Sequence, residues 1–158
     1  MLSIEILKRA SIFKELDEGV LEKIAKISRD EIYNSNETIF AEGDKAANIY
    51  VVIKGRVDIQ MGVDTKLGSV IVDTVKEGEA FGWSALASEN SFTASAKAAD
   101  KTWLIIIRGE DLSKLCEENE HVGFVVMKGI LSVVTSRFLQ MRRKFKELIY
   151  SRRRTLGE

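Results

Sequence analysis

At 158 residues, with 45% hydrophobic and 30% charged side chains and no net formal charge, the chain has the size and make-up of one folded domain and little more. No uninterrupted apolar run exceeds the five residues of 103–107, which argues against a membrane span, and Glu5 sits where a secretory leader needs its apolar stretch. A single cysteine, Cys116, excludes an internal disulfide and fits a reducing, cytoplasmic setting.

The first 30 residues read as helical. Leu2, Ile6 and Leu7 mark a short helix, and Val20, Leu21, Ile24, Ala25 and Ile27 mark a second that Asp17 is placed to cap. Residues 31–107 change to short β-rich runs, with strands predicted at 31–33, 38–40, 49–53, 56–61, 70–75, 92–98 and 103–107. Glycine, Asn and Asp break these runs, because the chain contains no proline. A strand and turn roughly every ten residues points to an antiparallel roll or barrel.

Helical periodicity returns over 110–150. Residues 111–117 form a short helix, and Asn119 or Glu120 opens a long one to about Ile149, with 151–158 expected to fray. In the long helix Met127, Leu131, Val134, Phe138, Met141, Phe145 and Leu148 repeat in steps of four and three, the spacing of a coiled-coil seam. A second stripe, Val122, Val126, Ile130 and Val133, runs beside it only in the first half, then turns polar at Arg137, Gln140 and Lys144. Such a helix packs first on its own domain and then presents one narrow seam to a second copy, so a homodimer is expected. The alternative is a wide stripe docked wholly on its own chain.

Charge is unevenly distributed. Residues 1–136 carry 16 Lys+Arg against 22 Asp+Glu, whereas 137–158 carry 8 against 2. Arg142, Arg143, Lys144 and Lys146 suit a solvated helix end that complements the helix dipole. A basic end on an acidic body also suits nucleic acid, an anionic membrane or an acidic protein partner.

The residues of enzymes are sparse. One histidine, His121, cannot supply a clustered metal site, and its spacing from Cys116 across a helix junction does not make a nucleophile pair. No phosphate-loop or Gly-x-Gly dinucleotide turn occurs. No catalytic residue, metal ligand or certain cofactor is assigned.

Two stretches carry a resemblance. Glu42-Gly43-Asp44 is followed by a strand, 49–53, and a tight turn at Lys54-Gly55. Further on come Phe81-Gly82-Trp83-Ser84-Ala85-Leu86 and then Ser91-Phe92-Thr93-Ala94-Ser95-Ala96. In this order and spacing they resemble the cyclic-nucleotide-binding domain family, with 81–95 as its phosphate-binding cassette, and Ser11-Ile12-Phe13-Lys14-Glu15-Leu16 resembles its entry segment. The resemblance implies one domain over 1–158. Its fold would be mainly β with flanking helices (α+β): an antiparallel β-roll or jelly roll over 31–107, N-terminal helices over 1–30 and a long dimerising C-terminal helix.

It also implies a ligand pocket of Phe81, Gly82, Trp83, Ser84, Ala85, Leu86, Phe92, Thr93, Ala94 and Ser95. In nucleotide-binding members a glutamate after the glycine holds the ribose 2′-hydroxyl, and an arginine ten residues after that glycine pairs with the cyclic phosphate. Here those positions are Trp83 and Phe92, and the usual proline is Ser91. Losing the arginine removes charge-assisted hydrogen bonds worth about 1.5–3 kcal/mol each, enough to weaken phosphate binding by one to several orders of magnitude. Thr93, Ser95 and backbone amides remain as anion partners. Arg137 is a candidate replacement cation, with a surface arginine as the plainer expectation.

Three readings of the aromatic pair stay open: a pocket closed by core side chains, a pocket for a different small ligand, and residual cyclic-nucleotide binding. The function expected is a non-enzymatic small-molecule sensor or regulatory module. A ligand-free dimerisation module is the alternative, as is the sensor part of a transcription regulator. Only nine residues follow Ile149, too few for a helix-turn-helix, so direct sequence-specific DNA binding is not expected.

Overall fold

Two apolar strands form the centre of the molecule. In the computed structural model, which describes residues 2–87 and 91–157, β3 (Asn48–Lys54) and β8 (Thr102–Arg108) pair antiparallel, with Val51 opposite Ile105. Alternate side chains of a strand point to opposite faces. Ile49, Val51, Ile53, Ile105 and Ile107 therefore face the helices, while Tyr50, Val52, Leu104 and Ile106 face the interior of the roll. Both faces are buried, so these strands read as unbroken apolar runs rather than alternating ones.

The remaining strands are β1 (Ser28–Tyr33), β2 (Thr38–Phe40), β4 (Val57–Asp64), β5 (Gly68–Val75), β6 (Ala80–Phe81) and β7 (Ser95–Ala98). They complete two four-stranded antiparallel sheets, ordered β1-β8-β3-β6 and β2-β7-β4-β5. The predicted strand at 92–98 begins only at Ser95, because residues 92–94 close the cassette instead. β6 is too short to show a period and was not expected.

Helices cover one side of the first sheet. α1 (Ile4–Lys8) and α2 (Glu18–Ile27) precede it, and the Asp17 carboxylate accepts from the Val20 N–H at 2.9 Å as the capping pattern requires. Leu7, Phe13, Leu21 and Ile24 are fully buried against the sheet. α3 (Gly109–Glu118) and α4 (Glu120–Thr155) follow β8, and the Asn119 side chain caps α4 by accepting from the Val122 N–H at 3.2 Å.

α4 differs from expectation in two ways. It continues through Thr155, so the predicted frayed tail is helical nearly to its end. It is also long and apolar enough to cross a membrane by length and composition. A count of unbroken apolar residues misses this, because Gly123, Lys128 and Gly129 interrupt the pattern. Here its first turns lie on the domain, with Val122, Val125 and Val126 buried in the helical core. Gly129 brings the backbone against the entry segment: a Cβ there would lie 2.9 Å from the Ile12 Cα.

Beyond these turns α4 leaves its apolar seam open. Leu131, Phe138, Phe145 and Leu148 are each 64–70% exposed, Met127 and Met141 somewhat less, and Val134 is half-buried. Phe124, one step earlier in the same seam, is equally exposed and extends it toward the start of the helix.

Candidate functional site

From Phe81 the chain leaves the first sheet, makes a single turn and comes back to the roll. The Phe81 ring is buried and stacks on Tyr50 with centroids 5.1 Å apart. Gly82 follows with φ +78°, and a Cβ there would lie 2.9 Å from a Tyr50 ring carbon, so glycine is required twice over. Trp83–Leu86 then form one 3-10 turn. Residues 88–90 of the cassette lie outside the described residues, as do Met1 and Glu158.

The return is pinned to the Gly43-Asp44 turn. The Phe92 N–H donates to the Asp44 carbonyl and the Gly43 N–H donates to the Phe92 carbonyl, each at 2.9 Å. The Asp44 carboxylate accepts from the Ala41 N–H at 3.0 Å, and the Ser95 hydroxyl accepts from the Glu42 N–H at 2.8 Å. The two motifs that stand fifty residues apart in sequence are thus one hydrogen-bonded unit.

The ring of Phe92 is 6% exposed and stacks on Phe40 at 3.7 Å with a 13° interplanar angle. It belongs to the aromatic interior of the roll, with Tyr50 and Phe81 beside it. Trp83 is half-buried, and α4 supplies what lies over it. The Arg137 guanidinium carbon sits 4.3 Å from the Trp83 ring centroid. Arg137 Nε meets Asp73 Oδ2 at 2.7 Å, and its Nη2 donates to the Ala80 carbonyl at 2.9 Å. Both side chains of the ion pair are 12% exposed. The plainer expectation, a surface arginine, is therefore overturned: the helix carries Arg137 into the domain, where β5, β6 and the cassette turn satisfy it. Burial pushes its pKa below the usual arginine value, while Asp73 and Glu79 act in the opposite direction.

A cavity of about 160 Å³ opens at this point. Gly82, Trp83, Ser84, Phe92, Thr93, Ala94 and Arg137 contribute from the predicted set, and Met141 reaches it from the seam. A wider groove of about 420 Å³ runs on the other side of α4, along the entry segment, and Arg137 and Asp73 line both.

A family model of the cyclic nucleotide-binding domain matches residues 30–119. The chain belongs to the cyclic nucleotide-binding domain family. Human cGMP-dependent protein kinase 2 is 29% identical over 104 residues, which cover 65% of this chain and 14% of the kinase. Among solved structures, a Geobacter metallireducens protein assigned to cyclic-nucleotide binding superposes with a TM-score of 0.76 at 29% identity, over 87% of this chain and 99% of that one. The catabolite activator protein of Thermus thermophilus shares the fold, with a TM-score of 0.71 at 21% identity, over 89% of this chain and 64% of that one.

Within this cyclic nucleotide-binding domain, four of the predicted pocket residues do other jobs. Phe81 fills the roll core, and Leu86 packs toward the helical core. Ala85 meets the start of α3, where a Cβ on Gly109 would collide with the Ala85 carbonyl. The Ser95 hydroxyl is committed to Glu42. Asp73 is the lining residue that sequence reading missed. Its signal was a lone carboxylate inside the apolar run 70–75, one that nothing local could neutralise. Phe40, Ile59, Met61 and Val72 complete the wall, and as ordinary strand residues they gave no such signal.

Proposed function

We propose that this chain is a non-catalytic regulatory sensor whose ligand enters the roll cavity and whose response is a shift of α4. One observation carries this reading: Arg137, a residue of α4, lines the cavity, lies over Trp83 and is held by Asp73. A ligand that contacts Trp83 competes with Arg137 for the same ring. It thereby changes the free energy of the helix position by its differential affinity for the two arrangements.

Ordinary binding of cAMP or cGMP is not part of the proposal. The position for a phosphate-pairing arginine is Phe92, stacked inside the roll, and the cation that lines the cavity, Arg137, is already neutralised by Asp73. A cyclic phosphate would meet aromatic rings and a carboxylate. The cavity volume also falls below the roughly 300–1,000 Å³ common for drug-sized ligands.

We also propose that α4 pairs with a second copy of the chain, so that its movement is read as a change in dimer geometry. The seam residues named above, Val134 apart, are exposed in the single chain, and burying each stabilises by roughly 1.5–3 kcal/mol. They continue in register past the last turn that the domain covers, where a coiled-coil partner fits.

Calorimetric titration with cAMP and cGMP, together with native mass spectrometry for small molecules retained on purification, tests the ligand side of the reading. Neither nucleotide is expected to bind in the micromolar range. Micromolar cAMP binding would overturn it.

A further inference from the structure

We infer that the ligand of the roll cavity is a neutral aromatic molecule of one or two fused rings carrying a single hydrogen-bonding group. This rests on the proposal that the cavity is a ligand site, and it adds the chemical class.

Volume sets the first bound. A cavity of about 150 Å³ lined by apolar side chains holds benzene. The 160 Å³ here admits a ring of that size, and its open side leaves room for a second. A cyclic nucleotide, with base, sugar and phosphate, exceeds this enclosed space and would extend out of it.

Charge sets the second. Arg137 and Asp73 stand 2.7 Å apart with both side chains largely buried, so the cavity presents a neutralised pair and, among the described residues that line it, no second cation. An anionic ligand would have to displace Asp73 from Arg137 and leave that carboxylate buried without a partner. A cationic ligand would meet Arg137 itself. A neutral molecule disturbs neither.

The lining sets the third. The lining is largely apolar: Phe40 and Phe92, stacked on each other, Trp83 with Arg137 over its ring, and Ile59 and Met141. Aromatic rings favour offset or edge contacts with such rings. Besides the ion pair, polar groups are few: the half-buried Ser84 and the exposed Thr93 are at the cavity. One or two hydroxyls beside three aromatic rings suit a phenol or an indole, with its single O–H or N–H.

The test is calorimetry and thermal melting of the full chain with indole, phenol, benzoate and cAMP as probes, each paired with hydrogen exchange of α4. Indole and phenol are expected to bind saturably and to raise the melting temperature, with benzoate about tenfold weaker or worse and cAMP silent. The Ala94→Leu variant fills the cavity from a half-exposed position, and it is expected to abolish binding without unfolding the roll. If benzoate or cAMP binds and the neutral rings do not, the neutral class is overturned, while slowed exchange in α4 would still support the sensor reading. If the neutral rings bind but α4 exchange is unchanged, the class stands and the sensor reading falls. Binding of none of the four overturns the class.

Discussion

Arg137 on α4 and Asp73 on β5 meet at 2.7 Å, each about one-eighth exposed, and the pair ties the long helix to the wall of the roll cavity. A pair so buried is weak evidence for stability in itself, because desolvation offsets much of the attraction. Breaking it is another matter. The surviving charge is stranded, and the cost falls on both the helix and the cassette.

Arg137→Ala is expected to destabilise the protein by about 3 kcal/mol, since it leaves Asp73 buried and unpaired. The Asp73→Leu, Arg137→Met double variant removes both charges and is expected to recover most of that loss. Urea unfolding of the wild type, Asp73→Leu, Arg137→Met and the double variant gives the coupling energy directly. A coupling near zero would mean that water already screens the pair.

The seam makes a prediction about assembly. At tens of micromolar the chain is expected to sediment as a dimer, and Phe138→Glu as a monomer with unchanged far-ultraviolet dichroism. Phe138 is 65% exposed, so the substitution costs the single chain little and the pair much. A wild-type monomer would remove the dimer from the account.

Close approach at Gly129 makes a third. A methyl group there would come within 2.9 Å of the Ile12 Cα, backbone that cannot turn aside. Gly129→Ala is expected to lift α4 from the entry segment at a cost of about 1–3 kcal/mol. Gly19→Ala, on α2 with ordinary helical backbone and its nearest neighbour, Asp17 Oδ1, 3.4 Å from the added carbon, serves as the control. Melting temperatures of the two variants separate the cases.

The strands and helices were largely legible because their apolar periods are strong and their ends carry caps such as Asp17 and Asn119. The cassette was legible too, through Gly82 and the spacing to Phe92. What the sequence hid was partnership across the chain. Nothing local tells a reader that Arg137 and Asp73, 64 positions apart, neutralise each other, or that Phe92 finds Phe40. Arg137 read as a surface residue because a helix period shows only that a face turns polar. The pairing that buries this arginine depends on where β5 runs, and that is a matter of tertiary geometry.

Restoring the family's charges is a fourth prediction. Trp83→Glu with Phe92→Arg is expected to gain at least about tenfold in cAMP affinity, from charge-assisted hydrogen bonds worth about 1.5–3 kcal/mol each. Phe92→Arg alone is expected to destabilise the roll, because the guanidinium would replace a ring stacked on Phe40. Calorimetry on the double variant decides it. If affinity does not rise, the pocket differs from nucleotide-binding relatives at more than these two positions.

Alkaline pH supplies the fifth. Burial pushes the Cys116 thiol up from its ordinary value of 9.0, with Glu117 adding to the shift. The unfolded chain therefore loses this proton first. The group's contribution to stability is complete below about pH 9 and declines as pH rises through the folded pKa. Cys116→Ser is expected to flatten that part of the curve. Tyr33 and Tyr50, also shifted upward by burial, leave a further decline at higher pH. Urea midpoints across this range read the effect.

The most direct test of the link between cavity and helix is hydrogen exchange in Arg137→Gln against the wild type. Faster exchange is expected together in the turn Trp83–Leu86 and in α4 beyond Val134, with β3 and β8 unchanged. Faster exchange in only one of the two segments, or in neither, would show that Arg137 does not join them.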